Sequence, residues 1–182
     1  MTDTRVVVLL GSLRTESINR RIAETLRDQA PQGTTVEIVD GLGELPFYNE
    51  EIDVEGEVPA RVSRLRAQVG AADRVLAITP EYNGTMPAVL NNAIDWLSRP
   101  YGRGALTGKP FGVVGATPTP YGGKWSHEHA RHSATIAGAL VVEGIVVDES
   151  AVEGDPLANE AAVQRFLGAL DALVAHEVDV AA

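Results

Sequence analysis

The sequence predicts an α/β protein in which an open parallel β-sheet is covered by helices on both faces. Short aliphatic runs alternate with amphipathic helical patterns from end to end, as in a chain of βαβ units. The aliphatic runs show no alternation with polar residues, which is typical of strands buried on both faces. The 182 residues contain no internal repeat and no linker-like stretch, so residues 1–182 are expected to form one domain.

Five aliphatic runs are predicted to be strands. They lie at residues 6–10, 36–39, 75–79, 111–116 and 140–147. Joined by right-handed crossovers, they form a doubly wound five-stranded sheet of order 2-1-3-4-5, with the first strand near its centre. Ligands of such sheets bind beyond the carboxyl ends of the strands. We therefore expect the loops after the first, third and fourth strands to carry the function.

Helices are predicted between these strands and after the last one. Apolar residues recur at helical spacing around residues 18–26, 58–69, 89–97 and 163–174. A helix at 125–138 is inferred from its place between two strands, because its pattern is irregular. The segment from Asp40 to Glu57 contains Gly41, Gly43 and Pro46, and we expect it to be a long loop without regular structure.

Composition and charge exclude several classes of function. The chain has no cysteine, so disulfides, thiolate nucleophiles and iron–sulfur ligands are excluded. Its net charge of −10 and the lack of a basic stripe argue against a nucleic-acid surface. The sequence shows neither a leader peptide nor an apolar run of about 20 residues, so we expect a cytoplasmic protein without a membrane anchor.

The loop after the first strand carries groups suited to an anion. It reads Gly11-Ser12-Leu13-Arg14-Thr15-Glu16-Ser17-Ile18-Asn19, and a helix is predicted to begin near Ser17. The free N–H groups at a helix start favour an anion, to which Ser12, Ser17 and Asn19 can donate. Arg14 supplies charge-assisted hydrogen bonds. The simpler alternative makes Ser17 an N-cap and Ser12 a turn residue. Since the loop lacks the signatures of triphosphate and dinucleotide sites, a mononucleotide phosphate is the best candidate.

The loop after the third strand is dense in turn-forming residues. It reads Thr79-Pro80-Glu81-Tyr82-Asn83-Gly84-Thr85-Met86-Pro87. We expect Asn83-Gly84 to turn the chain sharply and to leave successive N–H groups pointing outward. Rigid donors of this kind suit the acceptor atoms N5, O4 and O2 of a flavin ring, which Tyr82 is expected to flank. A plain connection of common turn residues is the alternative.

Several segments together resemble the NADPH-dependent FMN reductase family, which is flavodoxin-like and includes flavin, quinone, azo-dye and chromate reductases. Besides the two loops above, the similarity includes Asn92-Ala93-Ile94-Asp95-Trp96-Leu97-Ser98-Arg99-Pro100, in the same order over most of the chain. Gly108-Lys109-Pro110 before the fourth strand and Gly122-Gly123 after it also match. The expected architecture is therefore a flavodoxin-like three-layer αβα sandwich.

The resemblance implies FMN as the cofactor and NADPH or NADH as the co-substrate. It implies that the FMN phosphate is bound by the first loop, through Ser12, Arg14, Ser17, Ile18 and Asn19. It implies that the ring is contacted by Pro80, Glu81, Tyr82, Asn83, Gly84, Ala116 and Thr117. It also implies a homodimer or a dimer of dimers, in which Leu45 to Glu50 approaches the neighbouring flavin. Trp96 is expected to pack either in the core or at the subunit interface, and the resemblance favours the interface.

The predicted function is ping-pong hydride transfer from NAD(P)H through FMN to a flavin, quinone, azo compound or metal oxyanion. No side chain is assigned as a catalytic acid, base or nucleophile, because the cofactor does the chemistry. A flavodoxin-like electron carrier for a protein partner is the alternative, and a regulatory nucleotide-binding protein comes last. The sequence leaves both the acceptor and the choice between NADPH and NADH open.

One segment departs from the family pattern. Where relatives often have Gly-Gly-x-Arg with Gln two residues later, this chain has Gly122-Gly123-Lys124-Trp125-Ser126-His127. Nicotinamide or acceptor handling is expected to differ there. His127, His129 and His132 lack the His-Glu-x-x-His spacing of a zinc site, so no metal site is predicted. We expect these histidines to lie on a polar, partly exposed helix start.

Overall fold

The computed structural model describes residues 3–178, and these form a six-stranded parallel sheet between two layers of helices. The strands are β1 (Thr4–Leu10), β2 (Thr34–Ile38), β3 (Arg74–Ile78), β4 (Pro110–Thr117), β5 (Leu140–Val141) and β6 (Val147–Ser150). The helices are α1 (Ile18–Asp28), α2 (Ala60–Ala71), α3 (Ala88–Leu97), α4 (Lys124–Ile136) and α5 (Glu160–Ala175). The sheet order β2-β1-β3-β4-β5 confirms the predicted winding.

Each face of the sheet has its own core. Val7 and Leu9 of β1 pack in a cluster with residues of α2, α3 and α4. Val6, Val8 and Leu10 point to the other face and pack with α1 and α5. Because β1 is covered on both sides, its sequence is apolar throughout instead of alternating. The result is the predicted three-layer αβα sandwich.

The predicted fifth strand is broken into two short strands. Leu140 and Val141 pair with the start of β4, whereas β6 pairs with its end, from Val114 to Thr117. Between them the chain turns at Val142, whose carbonyl accepts a hydrogen bond of 3.0 Å from the N–H of Ile145. The side chain of Ile145 is buried against Gly112 of β4, where a Cβ would lie 3.1 Å from its Cδ1. The N–H of Val142 still donates to the Phe111 carbonyl of β4, and with Ile145 buried in this gap residues 143–146 leave the ladder.

The segment from Asp40 to Glu57 is more ordered than predicted. It contains two short 3-10 turns, at Leu42–Glu44 and Glu50–Ile52. The second begins at Asn49, whose side chain accepts a hydrogen bond from the N–H of Glu51. Within residues 3–178, no helix is both long enough and apolar enough to span a bilayer.

Candidate functional site

The loop between β1 and α1 presents a row of unpaired N–H groups. Ser17 is the N-cap of α1, and its Oγ accepts a hydrogen bond of 3.2 Å from the N–H of Asn19. Its own hydroxyl proton remains available to a ligand. The N–H groups of residues 12–16 and of Ile18 find no acceptor among residues 3–178. Together with the helix start, these donors form an anion cradle.

Asn19, which lies beside this cradle, also links the first loop to β4. It is buried in α1, and its amide group makes a pair of hydrogen bonds with the backbone of Ala116 in β4. Asn19 Nδ2 donates to the Ala116 oxygen at 2.8 Å, and the Ala116 N–H donates to Asn19 Oδ1 at 2.9 Å. One amide N–H of Asn19 is left for a ligand. Asn19 therefore ties the first loop to β4, a link that sequence reasoning missed.

Two cradle residues predicted from the sequence differ in exposure. Ser12 is buried at the carboxyl end of β1. Arg14 is exposed, and its guanidinium makes no hydrogen bond or ion pair with any residue that the structure describes. An unpaired cation beside unpaired N–H groups is the arrangement that binds phosphate tightly.

The loop after β3 contains the predicted sharp turn. Tyr82 and Thr85 exchange two backbone hydrogen bonds of 3.0 and 3.1 Å. Between them, Asn83 and Gly84 have φ angles of 53° and 72°, the values of a type I′ turn. Within residues 3–178, nothing accepts a hydrogen bond from the N–H groups of Glu81, Asn83 and Gly84. The predicted turn is confirmed, and it presents outward donors.

The first turn of α4 anchors this loop. Ser126 Oγ donates to the Pro80 carbonyl at 2.8 Å. The Glu81 carboxylate accepts hydrogen bonds from the N–H groups of Trp125 and Ser126, at 3.1 and 3.2 Å. It therefore caps α4, whose own N-cap residue, Gly123, has no side chain to do so. The Glu81 side chain therefore faces α4. Its contact with the flavin ring stays a prediction, and only the backbone of Glu81 is free to make it.

His127 does not lie on an exposed surface, so that prediction is wrong. It is completely buried, with Nδ1 2.5 Å from Asp148 Oδ1 and Nε2 3.0 Å from the Thr79 oxygen. His129 and His132 are exposed, and His129 Nδ1 lies 2.8 Å from Thr85 Oγ1. Within residues 3–178, no three His, Cys, Asp or Glu side chains are close enough together to hold a metal ion.

The loops after β1 and β3 meet at one cleft. A cavity of about 400 Å³ lies between Leu13 and Arg14 on one side and Tyr82 on the other, and the start of α3 closes it. A second cavity of about 650 Å³ adjoins it and shares Tyr82, Pro87 and Ala88 with the first. Both have the size of small-molecule sites. A cleft therefore lies at the carboxyl ends of β1 and β3, where the sequence predicts the ligand site.

The segment after β2 forms the far wall of the second cavity. The Pro46 carbonyl accepts hydrogen bonds from Trp96 Nε1 at 2.8 Å and from Asn92 Nδ2 at 3.0 Å. Asn92 Oδ1 accepts a third bond from the N–H of Tyr48 at 2.8 Å. Trp96 is fully buried within the chain, so of the two expected roles the core role is confirmed and the favoured interface role is wrong. Asn92 and Trp96 instead hold a loop that leaves Phe47 78% exposed beside the cavity.

A partly buried ion pair between Asp53 and Arg66 holds the end of the same segment. Arg66 donates to both oxygens of Asp53, at 2.7 and 2.8 Å, and also to the Trp96 carbonyl. These hydrogen bonds lower the pKa of Asp53; burial opposes the effect, and the positive charges of Arg66 and Arg99 add to it. The pair therefore depends on an ionised Asp53.

The Asp53–Arg66 pair predicts a loss of stability in acid. Because the pKa of Asp53 is lower in the folded chain than in the unfolded chain, the contribution is complete above about pH 3.9 and disappears as the pH falls through the folded value. We expect Asp53→Asn to lower the free energy of unfolding by about 1.5–3 kcal/mol at pH 7, because Arg66 loses its charged partner. Urea unfolding from pH 7 to pH 3 measures this. The wild-type and variant curves converge in acid; parallel curves would contradict the assignment.

The segment Gly108-Lys109-Pro110 lies away from the cleft. It leads into β4 at the amino end of the sheet, opposite the cavities. Lys109 Nζ donates to the carbonyls of Ala72 and Gly70, at 2.5 and 3.1 Å, at the end of α2. Burial lowers the pKa of Lys109. This part of the sequence pattern serves the fold by capping a helix C-terminus.

A doubly wound sheet with an anion cradle after its central strand, and a donor-lined cleft beside it, defines the class of flavodoxin-like nucleotide-binding proteins. The family model for NADPH-dependent FMN reductases matches residues 4–153. The chain belongs to this family, and it is an oxidoreductase with FMN as its cofactor and NAD(P)H as its reductant.

Individual relatives agree with the family match. A quinone reductase of Pseudomonas putida is 44% identical over 128 residues, which cover 70% of this chain and 68% of the relative. An NAD(P)H-dependent FMN reductase of Pseudomonas aeruginosa is 40% identical over 131 residues, or 72% of this chain and 69% of the relative. The solved structure of FerB, a flavoenzyme NAD(P)H:(acceptor) oxidoreductase from Paracoccus denitrificans, aligns with a TM-score of 0.82 and 30% identity, covering 94% of this chain and 95% of FerB.

Proposed function

We propose that this chain transfers hydride from NAD(P)H through FMN to a small acceptor by a ping-pong mechanism, and that quinones are among its acceptors. The observation that carries the proposal is the pair of adjoining cavities, of about 400 and 650 Å³, between the loops after β1 and β3. One has room for a flat ring, and the other has room for a second molecule beside it. The quinone reductase of Pseudomonas putida supports the choice of acceptor.

The residues at the cleft fit FMN. The unpaired N–H groups of residues 12–16 and the exposed Arg14 suit the FMN phosphate. The unpaired N–H groups of Asn83 and Gly84 suit the acceptor atoms of the flavin ring. The phosphate residues in the proposal are Ser12, Arg14, Ser17, Ile18 and Asn19. The ring residues are Pro80, Glu81, Tyr82, Asn83, Gly84, Ala116 and Thr117.

FMN, when bound, supplies the redox chemistry, since its ring accepts a hydride from NAD(P)H and gives it to an acceptor. The protein binds the phosphate, directs N–H donors at the ring edge and leaves a cavity open beside Tyr82. NAD(P)H and the acceptor use this space in turn. No side chain is assigned as an acid, base or nucleophile.

Steady-state oxidation of NADPH and NADH, with and without added FMN, tests this function. The acceptors are a benzoquinone, a free flavin and an azo dye. We expect FMN-dependent turnover, with parallel lines in double-reciprocal plots when NAD(P)H and acceptor are varied. Binding of FMN without turnover would favour the electron-carrier alternative, and failure to bind FMN would overturn both.

Arg14→Ala is expected to weaken FMN binding by about 10- to 100-fold, because it removes a charge-assisted hydrogen bond worth about 1.5–3 kcal/mol. Riboflavin, which has the same ring and no phosphate, should bind both proteins equally. Fluorescence titration measures the two dissociation constants.

Arg27→Ala is the matched control, since Arg27 lies exposed at the other end of α1. It should bind FMN like the wild type. An equal loss of FMN and riboflavin affinity in Arg14→Ala would show that the residue does not contact the phosphate.

We also propose that the chain forms a homodimer around the cleft. Phe47 is 78% exposed beside the second cavity, and Tyr82 is 48% exposed between the two cavities. A second copy covering these aromatic side chains would close the open side of the site. Light scattering on the purified protein measures the mass.

A further inference from the structure

A buried histidine, paired with a partly exposed aspartate, lies against the start of the loop after β3. The side chain of His127 is fully buried in the first turn of α4, and that of Asp148 in β6 is 20% exposed. His127 Nδ1 is 2.5 Å from Asp148 Oδ1, and Nε2 is 3.0 Å from the Thr79 oxygen at the end of β3. The function proposed above assigns neither residue a role.

The two partners of His127 determine its protonation. A backbone carbonyl and a carboxylate are both acceptors, whereas a neutral imidazole has only one N–H to give. Both ring nitrogens can be satisfied only if each carries a proton. The positions of these two acceptors therefore fit an imidazole ring with an N–H group on each nitrogen.

The backbone leaves room for this pair. A Cβ on Gly115 of β4 would lie 2.9 Å from His127 Nε2, and one on Gly123 would lie 3.1 Å from the same atom. A Cβ on Gly122 would lie 2.2 Å from the Asp148 oxygen. Gly115 and Gly123 thus leave room for the His127 ring, and Gly122 lets the chain approach the backbone carbonyl of Asp148.

Three other carboxylates near the pair have partners of their own. Glu81 accepts hydrogen bonds from the start of α4, and Glu149, next to Asp148, pairs with Arg165. Glu128 on α4 is exposed and faces Lys124. Among residues 3–178, Asp148 is thus the charged group in contact with the His127 ring.

We propose that the His127 imidazolium is a positioning residue for the FMN ring. It fixes the Thr79 carbonyl, while Ser126, its neighbour in α4, fixes the Pro80 carbonyl. With these two carbonyls held, the N–H groups of Asn83 and Gly84 keep their direction toward the cleft. The inference rests on the proposed FMN site.

The protonation state is tested in the protein without added FMN. NMR spectra of protein with 15N-labelled histidine distinguish a protonated ring nitrogen from an unprotonated one. We expect both nitrogens of His127 to be protonated at pH 7, and the signal to be lost in His127→Gln. A ring with one unprotonated nitrogen would overturn the proposal.

The positioning role is tested by comparing His127→Gln with His132→Gln, which makes the same change at an exposed position of the same helix. A glutamine has one donor nitrogen, so it cannot donate to both the Asp148 carboxylate and the Thr79 carbonyl, which lie on opposite sides of the side chain. In His127→Gln we expect exchange of the hydrogen-bonded amides of Tyr82 and Thr85 to be about 10-fold faster, and the FMN dissociation constant to be about 10-fold higher. Riboflavin affinity should fall equally, because the ring is affected and not the phosphate. His132→Gln should match the wild type.

Other outcomes separate the two proposals. A lower Tm with unchanged exchange and unchanged FMN affinity would make the pair merely structural and overturn the inference. If His127→Gln does not fold, Asp148→Asn keeps the shape and removes the carboxylate; the second ring proton should then be lost, and its retention would overturn the inference. If the wild type binds no FMN, the proposed function fails, while the exchange and NMR measurements still decide whether His127 holds the loop.

Discussion

Replacing Gly115 with alanine is expected to abolish FMN binding and to lower the free energy of unfolding by more than about 3 kcal/mol. A Cβ at this position of β4 would lie 2.1 Å from the Thr79 oxygen, 2.9 Å from His127 Nε2 and 3.0 Å from Asn19 Oδ1. The first of these is backbone, which cannot move aside without shifting β3. All three groups hold the cleft together. Urea unfolding and FMN titration measure the two effects.

Two other glycines provide matched controls. Gly112→Ala lies in the same strand, but its Cβ would lie 3.1 Å from the flexible ends of Ile145 and Leu76. We expect it to cost about 1 kcal/mol and to leave FMN affinity nearly unchanged. Gly168→Ala, in the interior of α5, meets no atom within 4 Å and should stabilise the protein by about 0.4–1 kcal/mol. An equally small loss of stability and of FMN affinity in Gly115→Ala and Gly112→Ala would contradict the prediction that Thr79, His127 and Asn19 leave no room for a side chain at Gly115.

Asn19→Asp is expected to destabilise the protein by about 3 kcal/mol at pH 7 and to weaken FMN binding strongly. Asn19 is 1% exposed, and its Nδ2 donates to the Ala116 carbonyl. A carboxylate there places an unpaired charge against that carbonyl oxygen and beside the phosphate cradle. The loss of stability and the loss of FMN affinity both result from replacing one amide NH2 group with a negatively charged oxygen.

The pH dependence of Asn19→Asp identifies the cause. Burial raises the pKa of the new carboxyl in the folded state, so stability falls as the pH rises toward that value and is recovered in acid. A protonated carboxyl can donate to the Ala116 carbonyl and accept from its N–H, as the amide does. Chemical unfolding between pH 4 and pH 8 measures the recovery. Asn159→Asp, at the exposed N-cap of α5, is the control and should be nearly neutral. A penalty for Asn19→Asp that is independent of pH would contradict the explanation.

The fold was predictable where local sequence and burial agree. The run from Val6 to Leu10 is a strand because it is apolar without interruption, and the structure buries it on both faces. The fifth strand was predicted as one piece because aliphatic residues lie on both sides of Glu143-Gly144. Its interruption depends on Ile145 packing against Gly112, a contact between two elements that no local pattern reveals.

The candidate site divides in the same way. The turn at Asn83-Gly84 was predictable, since few other residue pairs adopt two positive φ angles in succession. The pairing of His127 with Asp148 was not, because β6 must lie in register beside β4, with Asp148 opposite Gly115. The bonds from Glu81 to the start of α4 were missed for a related reason. Acidic side chains on loops usually meet water, and only the arrangement of loop and helix shows otherwise.

The interruption of the outer strand also affects how molecules meet in solution. β5 and β6 have two and four residues, and the chain between them leaves the ladder to bury Ile145. A long, flat edge with free N–H and C=O groups would invite pairing with the edge of another molecule. On this side of the sheet the free backbone groups occur in two short, separated stretches. The bend that brings Asp148 to His127 therefore also makes this edge a poor template for aggregation.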